Sequence, residues 1–149
     1  MGITGRNLEK STVALISKNS VIIGNDGDER SFITSPRQAV QVLEVGVTIT
    51  KDAGASIAGE SVWEVKVYDK NNEGGVQIAT CTFAASSVAG DEKTTRDSSM
   101  TFSSGYTNAS DRVFAKGARI VMHQSTPTTD TADVFAPYVI AIPFGAEPA

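Results

Sequence analysis

The sequence holds one cysteine, Cys81, and one histidine, His123. A single thiol cannot close an internal disulfide or supply a multi-cysteine metal site. A single imidazole leaves little material for acid–base chemistry at neutral pH. Leucine occurs only at Leu8, Leu15 and Leu43 among 149 residues, and helical cores lean on leucine, so its scarcity argues against a bundle. No apolar stretch approaches the roughly 20 residues of a membrane-spanning helix. The opening residues MGITGRNLEK contain no apolar run of the signal-peptide kind, so the chain is not expected to be a secreted precursor. Basic residues are also scarce. Thirteen Lys and Arg face seventeen Asp and Glu, for a net charge of −4, which argues against a nucleic-acid binder, whose phosphate contacts require clustered positive charge.

What is present in quantity is branching at Cβ. Valine and isoleucine together number 26, and threonine adds 15. Such side chains lose χ1 freedom in a helix but pack well on a pleated surface. Periodicity agrees. In Ala39–Thr50, Leu43, Val45, Val47 and Ile49 alternate with Glu44, Gly46 and Thr48, and in Ser61–Asp69, Trp63, Val65 and Val67 alternate with Glu64 and Lys66. Gly75–Ala84 places Ala79, Cys81 and Phe83 on one side, with Ile78, Thr80 and Thr82 on the other. Ala118–Gln124 opposes Ile120 and Met122 to Val121 and His123, and Asp133–Ile142 is apolar on both faces, with Pro137 predicting a bulge or an unpaired position. Thr12–Ser17, Val21–Gly24 and Arg30–Thr34 are shorter candidates. The reading is an all-β, single-domain, two-sheet antiparallel β-sandwich of about eight strands.

Connection lengths refine this. Asn25-Asp26-Gly27-Asp28 and Asn71-Asn72-Glu73-Gly74-Gly75 are tight hairpin signals. The stretch from Ala84 to Phe114 is instead a long polar connection containing one short strand candidate, Ser99–Ser103. Short hairpins mixed with long crossovers favour jelly-roll wiring over a meander. The domain is expected over residues 12–144, with an N-terminal arm over 1–11 and a tail over 145–149.

Catalytic chemistry is not legible. His123 lies in a strand with no nucleophile motif, and Cys81 lies mid-strand, where a small buried thiol packs as a hydrophobe. The chain is read as no enzyme, with no catalytic residues, cofactor or metal. Asp69, Asn71 and Glu73, followed by Gly74, resemble the start of a calcium loop, but the twelfth position is Thr80, not glutamate, and the simpler reading is a turn. Asn25, Asp26, Asp28 and Glu29 are read the same way. Asn108-Ala109-Ser110 is a formal glycosylation sequon. Trp63 is in phase with core positions, and Tyr106, in the long connection, is the aromatic expected at the surface.

The segment Val113-Phe114-Ala115-Lys116-Gly117-Ala118-Arg119-Ile120-Val121, with Arg30–Thr50 and Asp133–Phe144, resembles the strand pattern of tailed-bacteriophage jelly-roll cement or decoration proteins. In it Phe114 would plug one end of the sandwich while Gly117 turns the chain into the next strand. The resemblance implies a non-enzymatic virion protein, made in the host cytoplasm, that binds the major capsid protein on the outer capsid surface as a homotrimer and bridges capsomers. No nucleic acid or membrane partner is implied. Ile3, Arg6 and Leu8 in the N-terminal arm, and Tyr106, are the candidate partner-binding residues. The alternative is a carbohydrate- or receptor-binding module of a viral fibre or adhesin, with its site on the loop Ser86–Arg112 around Tyr106.

Overall fold

The strands predicted from alternation are present, and their pairing makes a closed pattern. The computed structural model describes residues 15–18, 22–23, 29–34, 39–69 and 72–144, with side chains for 39–69 and 73–144. The strands are β1 Leu15–Lys18, β2 Ile22–Ile23, β3 Glu29–Thr34, β4 Ala39–Lys51, β5 Ser61–Asp69, β6 Asn72–Phe83, β7 Glu92–Thr94, β8 Thr101–Phe102, β9 Val113–Phe114, β10 Arg119–Thr126 and β11 Val134–Phe144. The described residues hold no α-helix, only a single 3-10 turn at Ala109–Asp111.

One sheet has the order β1-β11-β4-β7, with β2 added on β11 and β9 on β4; the other has the order β3-β10-β5-β6-β8. Antiparallel pairs β1 with β11, β3 with β10, β4 with β7 and β5 with β6 nest one inside the next. This is one long hairpin, folded at the β5–β6 turn and rolled so that its rungs fall alternately in the two sheets. Those eight strands and that order define a jelly roll. Of the eight, only β7 was not anticipated. It is three residues long, Glu-Lys-Thr, and three polar residues carry no period-two signal.

The core lies between the sheets. Val45, Val47, Ile49, Phe135 and Val139 from one sheet meet Trp63, Val65, Phe83, Ile120 and Met122 from the other, all with no exposed surface. The Phe135 ring lies 5.1 Å from Trp63 and 5.8 Å from Phe83, tilted against both. Each such side chain contributes about 1.5–3 kcal/mol by leaving water. At one end Phe114 is buried as expected, and Gly117 takes φ +88, a left-handed turn suited to glycine.

Two side chains depart from simple alternation, both because of β-bulges. Leu43 does not join Val45, Val47 and Ile49 in the core; it is 40% exposed. The register steps from Ile140–Glu44 to Ala141–Val42, so Leu43 is the extra residue, and the bulge returns Val42 and Val40 to the core. Ile78 does not lie on the polar side with Thr80; it is fully buried. Here the register steps from Val65–Ala79 to Lys66–Gln77, leaving Ile78 as the bulge residue and burying it beside Ala79. Pro137 makes no bulge. It stays in register with Val47 and falls where, among the described residues, β11 has no partner on its other flank, between Lys18 opposite Tyr138 and Ile22 opposite Phe135.

Candidate functional site

Buried charge marks the places where the fold commits polar chemistry, and among the described residues two carry it. Arg112 is 6% exposed and closes the long connection just before β9. Its Nε donates to the Val42 carbonyl at 2.9 Å, and Nη1 donates to the carbonyls of Tyr106 and Thr107, each at 2.8 Å. The guanidinium also stacks over the Phe102 ring at 3.7 Å. Burial pulls its pKa below the usual arginine value, while Asp111 opposes that shift. The connection is thus drawn onto the core from inside.

Asp133 is fully buried at the opposite chain position, just before β11. Its Oδ1 accepts the Ala53 N–H at 2.8 Å and its Oδ2 accepts the Ala58 N–H at 2.9 Å, so one carboxylate fastens the β4–β5 loop. Thr129 Oγ1 donates to the Ala58 carbonyl at 2.6 Å, and Ile57 donates its N–H to Ser87 at 2.9 Å. Three loops are knitted together there. Neither buried charge faces a second ionisable group in a manner suited to proton transfer; both are committed to backbone groups.

The other candidates distribute as follows. Cys81 is buried in the core, and burial pushes its thiol up to about 12, with Lys93 opposing. His123 stands on the outer face of its sheet, in register with Glu64 on one side and Glu29 on the other; its Nδ1 is buried and makes no hydrogen bond among the described residues. Asp69 ends β5 in register with Asn72, the first residue of β6, and Glu73 lies exposed within β6. Asn71, Asn25, Asp26 and Asp28 lie outside the described residues, as do Ile3, Arg6 and Leu8. Among the described residues no group of three or more His, Cys, Asp or Glu is placed to hold a metal ion. Asn108 precedes the 3-10 turn with its side chain exposed and uncapped.

Tyr106 departs from the expectation of a free surface aromatic. It is half-buried against the core, with its ring 6.2 Å from that of Phe114 and its carbonyl held by Arg112. The structure therefore brings Tyr106, Arg112, Phe102 and Phe114 together as one packed end of the sandwich. Sequence reasoning missed Arg112 and Asp133. The signal available was a single charge immediately before an apolar strand, Arg112 before Val113-Phe114 and Asp133 before Val134-Phe135.

No protein-family description and no curated protein matches the sequence. Among solved structures, the Eiger TNF of S. frugiperda aligns over 92% of this chain and 95% of its own, with 7% identity and a TM-score of 0.45. The tobacco streak virus coat protein dimer aligns over 92% and 89%, with 14% identity and a TM-score of 0.37. A second crystal form of that coat protein gives 12% identity, 92% and 90% coverage and a TM-score of 0.35. These are likenesses of fold, and they say nothing of a ligand or partner.

Proposed function

We propose that this chain is a non-enzymatic structural protein of a virion, a cement protein that attaches to the outer surface of a bacteriophage capsid and bridges its capsomers. The observation that carries this reading is the destination of the buried charge. Arg112 bonds to the backbone of β4 and of the long connection, and Asp133 to the β4–β5 loop, stiffening the two-sheet body instead of lining a reactive cleft. A clamp needs such a body, because any give in the protein would be given to the shell. The charge of −4 suits an outer surface, away from packaged nucleic acid. Contacts that are weak singly become strong when symmetry repeats them over a shell.

Residues 1–11, with Ile3, Arg6 and Leu8, are the proposed attachment arm. Strand β1, the first described segment after them, pairs with β11 at the edge of its sheet. Capsids assembled from the major capsid gene of the same genome, with this protein withheld, are the test material. Adding the full chain should raise the temperature at which they disrupt, and a chain lacking residues 1–11 should fail to do so while keeping its own melting temperature. An unchanged disruption temperature with the full chain contradicts the reading. The carbohydrate-binding alternative draws less support, since Tyr106 spends much of its ring on Phe114.

A further inference from the structure

Strands β5 and β10 each carry one polar aliphatic side chain in core phase. Along β5 the inward positions are Ser61, Trp63, Val65 and Val67, and along β10 they are Ile120, Met122 and Gln124. Ser61, Trp63 and Gln124 have no exposed surface. Gln124 stands in register with Trp63, so the two side chains leave the same face of the sheet about 5 Å apart at Cβ. Gln124 Nε2 donates to Ser61 Oγ at 3.0 Å, so the amide extends diagonally past Trp63.

The indole is the member of this group that lacks an acceptor. Trp63 Nε1 is buried and makes no hydrogen bond among the described residues. Phe135, which packs 5.1 Å from it between ring centroids, has none to give, and neither has Val65, the next inward side chain of β5. A buried donor that surrenders water without a replacement is rare in folded proteins, because the full desolvation cost then falls on the fold. The oxygens beside the ring are Ser61 Oγ and Gln124 Oε1, and each can take part in more than one bond.

The ladder is interrupted at the same place. Register steps from Gln124–Trp63 to Thr126–Val62, so Ser125 is the extra residue of a β-bulge, with its Oγ donating to the Val62 carbonyl at 3.4 Å. Ser125 and Thr126 are exposed, so the buried polar group adjoins the surface along β10.

We infer that Trp63 and Gln124 hold one buried water molecule between them. The water accepts the Trp63 Nε1–H and donates to Gln124 Oε1, while Ser61 steadies the glutamine amide through Nε2. A water suits this site because it supplies the missing acceptor and returns a donor to the neighbouring amide, within an interior otherwise lined by apolar side chains. The bulge at Ser125 is its route in. The bridge ties β5 to β10 at the last rung before the register shift, and it is independent of capsid attachment.

A high-resolution crystal structure of the full chain tests it. One ordered water should lie about 2.7–3.2 Å from Trp63 Nε1 and as close to Gln124 Oε1. In Gln124→Leu, which fills the site with an apolar side chain and offers no acceptor, that water should be lost. A protein acceptor bonded directly to Nε1 in the wild type overturns the inference, as does an indole N–H with no density beside it. A water that keeps its place in Gln124→Leu also overturns it. Should that variant not fold, the wild-type map decides alone.

Discussion

Arg112 and Asp133 each hold more than one backbone group with a single buried charge, and removing either leaves those carbonyls or amides without that partner. Asp133→Ala should cost about 3 kcal/mol, because two N–H groups lose a charged acceptor, and a thermal melt measures it. Arg112→Lys keeps the charge but cannot reach Val42, Tyr106 and Thr107 together. We expect limited proteolysis to nick the segment 95–111 in that variant far faster than in wild type. Cys81 offers a pH test. Its folded pKa of about 12 lies above the roughly 8.5 of an unfolded thiol. The folded state then holds a proton that the unfolded chain releases, so stability should fall as pH rises above about 8.5. Cys81→Ala should remove that slope between about pH 8.5 and 10 in denaturant titrations; a slope that persists unchanged assigns it to another group. The burial of Cys81 and Trp63 was legible because both sit in phase on alternating strands. The two charges were not, since nothing in a one-dimensional pattern reveals which carbonyls a guanidinium will find.

Elements were legible where side chains alternate and illegible where a bulge resets the phase. Alternation read straight through β4 put Leu43 inside, and only the pairing with β11 shows the extra residue. This makes a distinctive prediction. Deleting Leu43 leaves Val40, Val42, Val45, Val47 and Ile49 all facing the core in a regular strand, so that variant should fold with a modest loss in melting temperature. Deleting Thr48 sends Val47 and Val45 outward and should abolish cooperative unfolding. Equal behaviour of the two deletions would contradict the assigned bulge. The same strand passes beneath Tyr138, whose ring lies 2.5 Å from where a Cβ on Gly46 would stand. Gly46→Ala should therefore destabilise by about 1–3 kcal/mol, as overpacking does, because the ring must leave its bond to Glu44. At the β5–β6 hairpin, the turn signal read over Asn71 to Gly75 runs too far along the chain: Asn72 to Gly75 already belong to β6, where Gly75 takes φ +80 with the Tyr68 ring over it.

At the scale of the molecule, the nested pairing of β1 with β11, β3 with β10, β4 with β7 and β5 with β6 joins sequence-distant segments in every rung but the innermost. The two-sheet class followed from composition and alternation, and connection lengths pointed to a jelly roll. The strand order itself depends on long-range pairing that no local pattern encodes. The body so formed commits the buried charges of Arg112 and Asp133 to its own backbone. Holding other proteins together is the role proposed for that body. The most direct measurement of the proposed role is cosedimentation of the purified chain with capsids assembled from the major capsid gene of the same genome, with this chain withheld. The account predicts saturable binding at a fixed number of copies per capsomer, displaced by no sugar. Absence of the chain from the pelleted capsids, under conditions where the chain itself is folded, would contradict it.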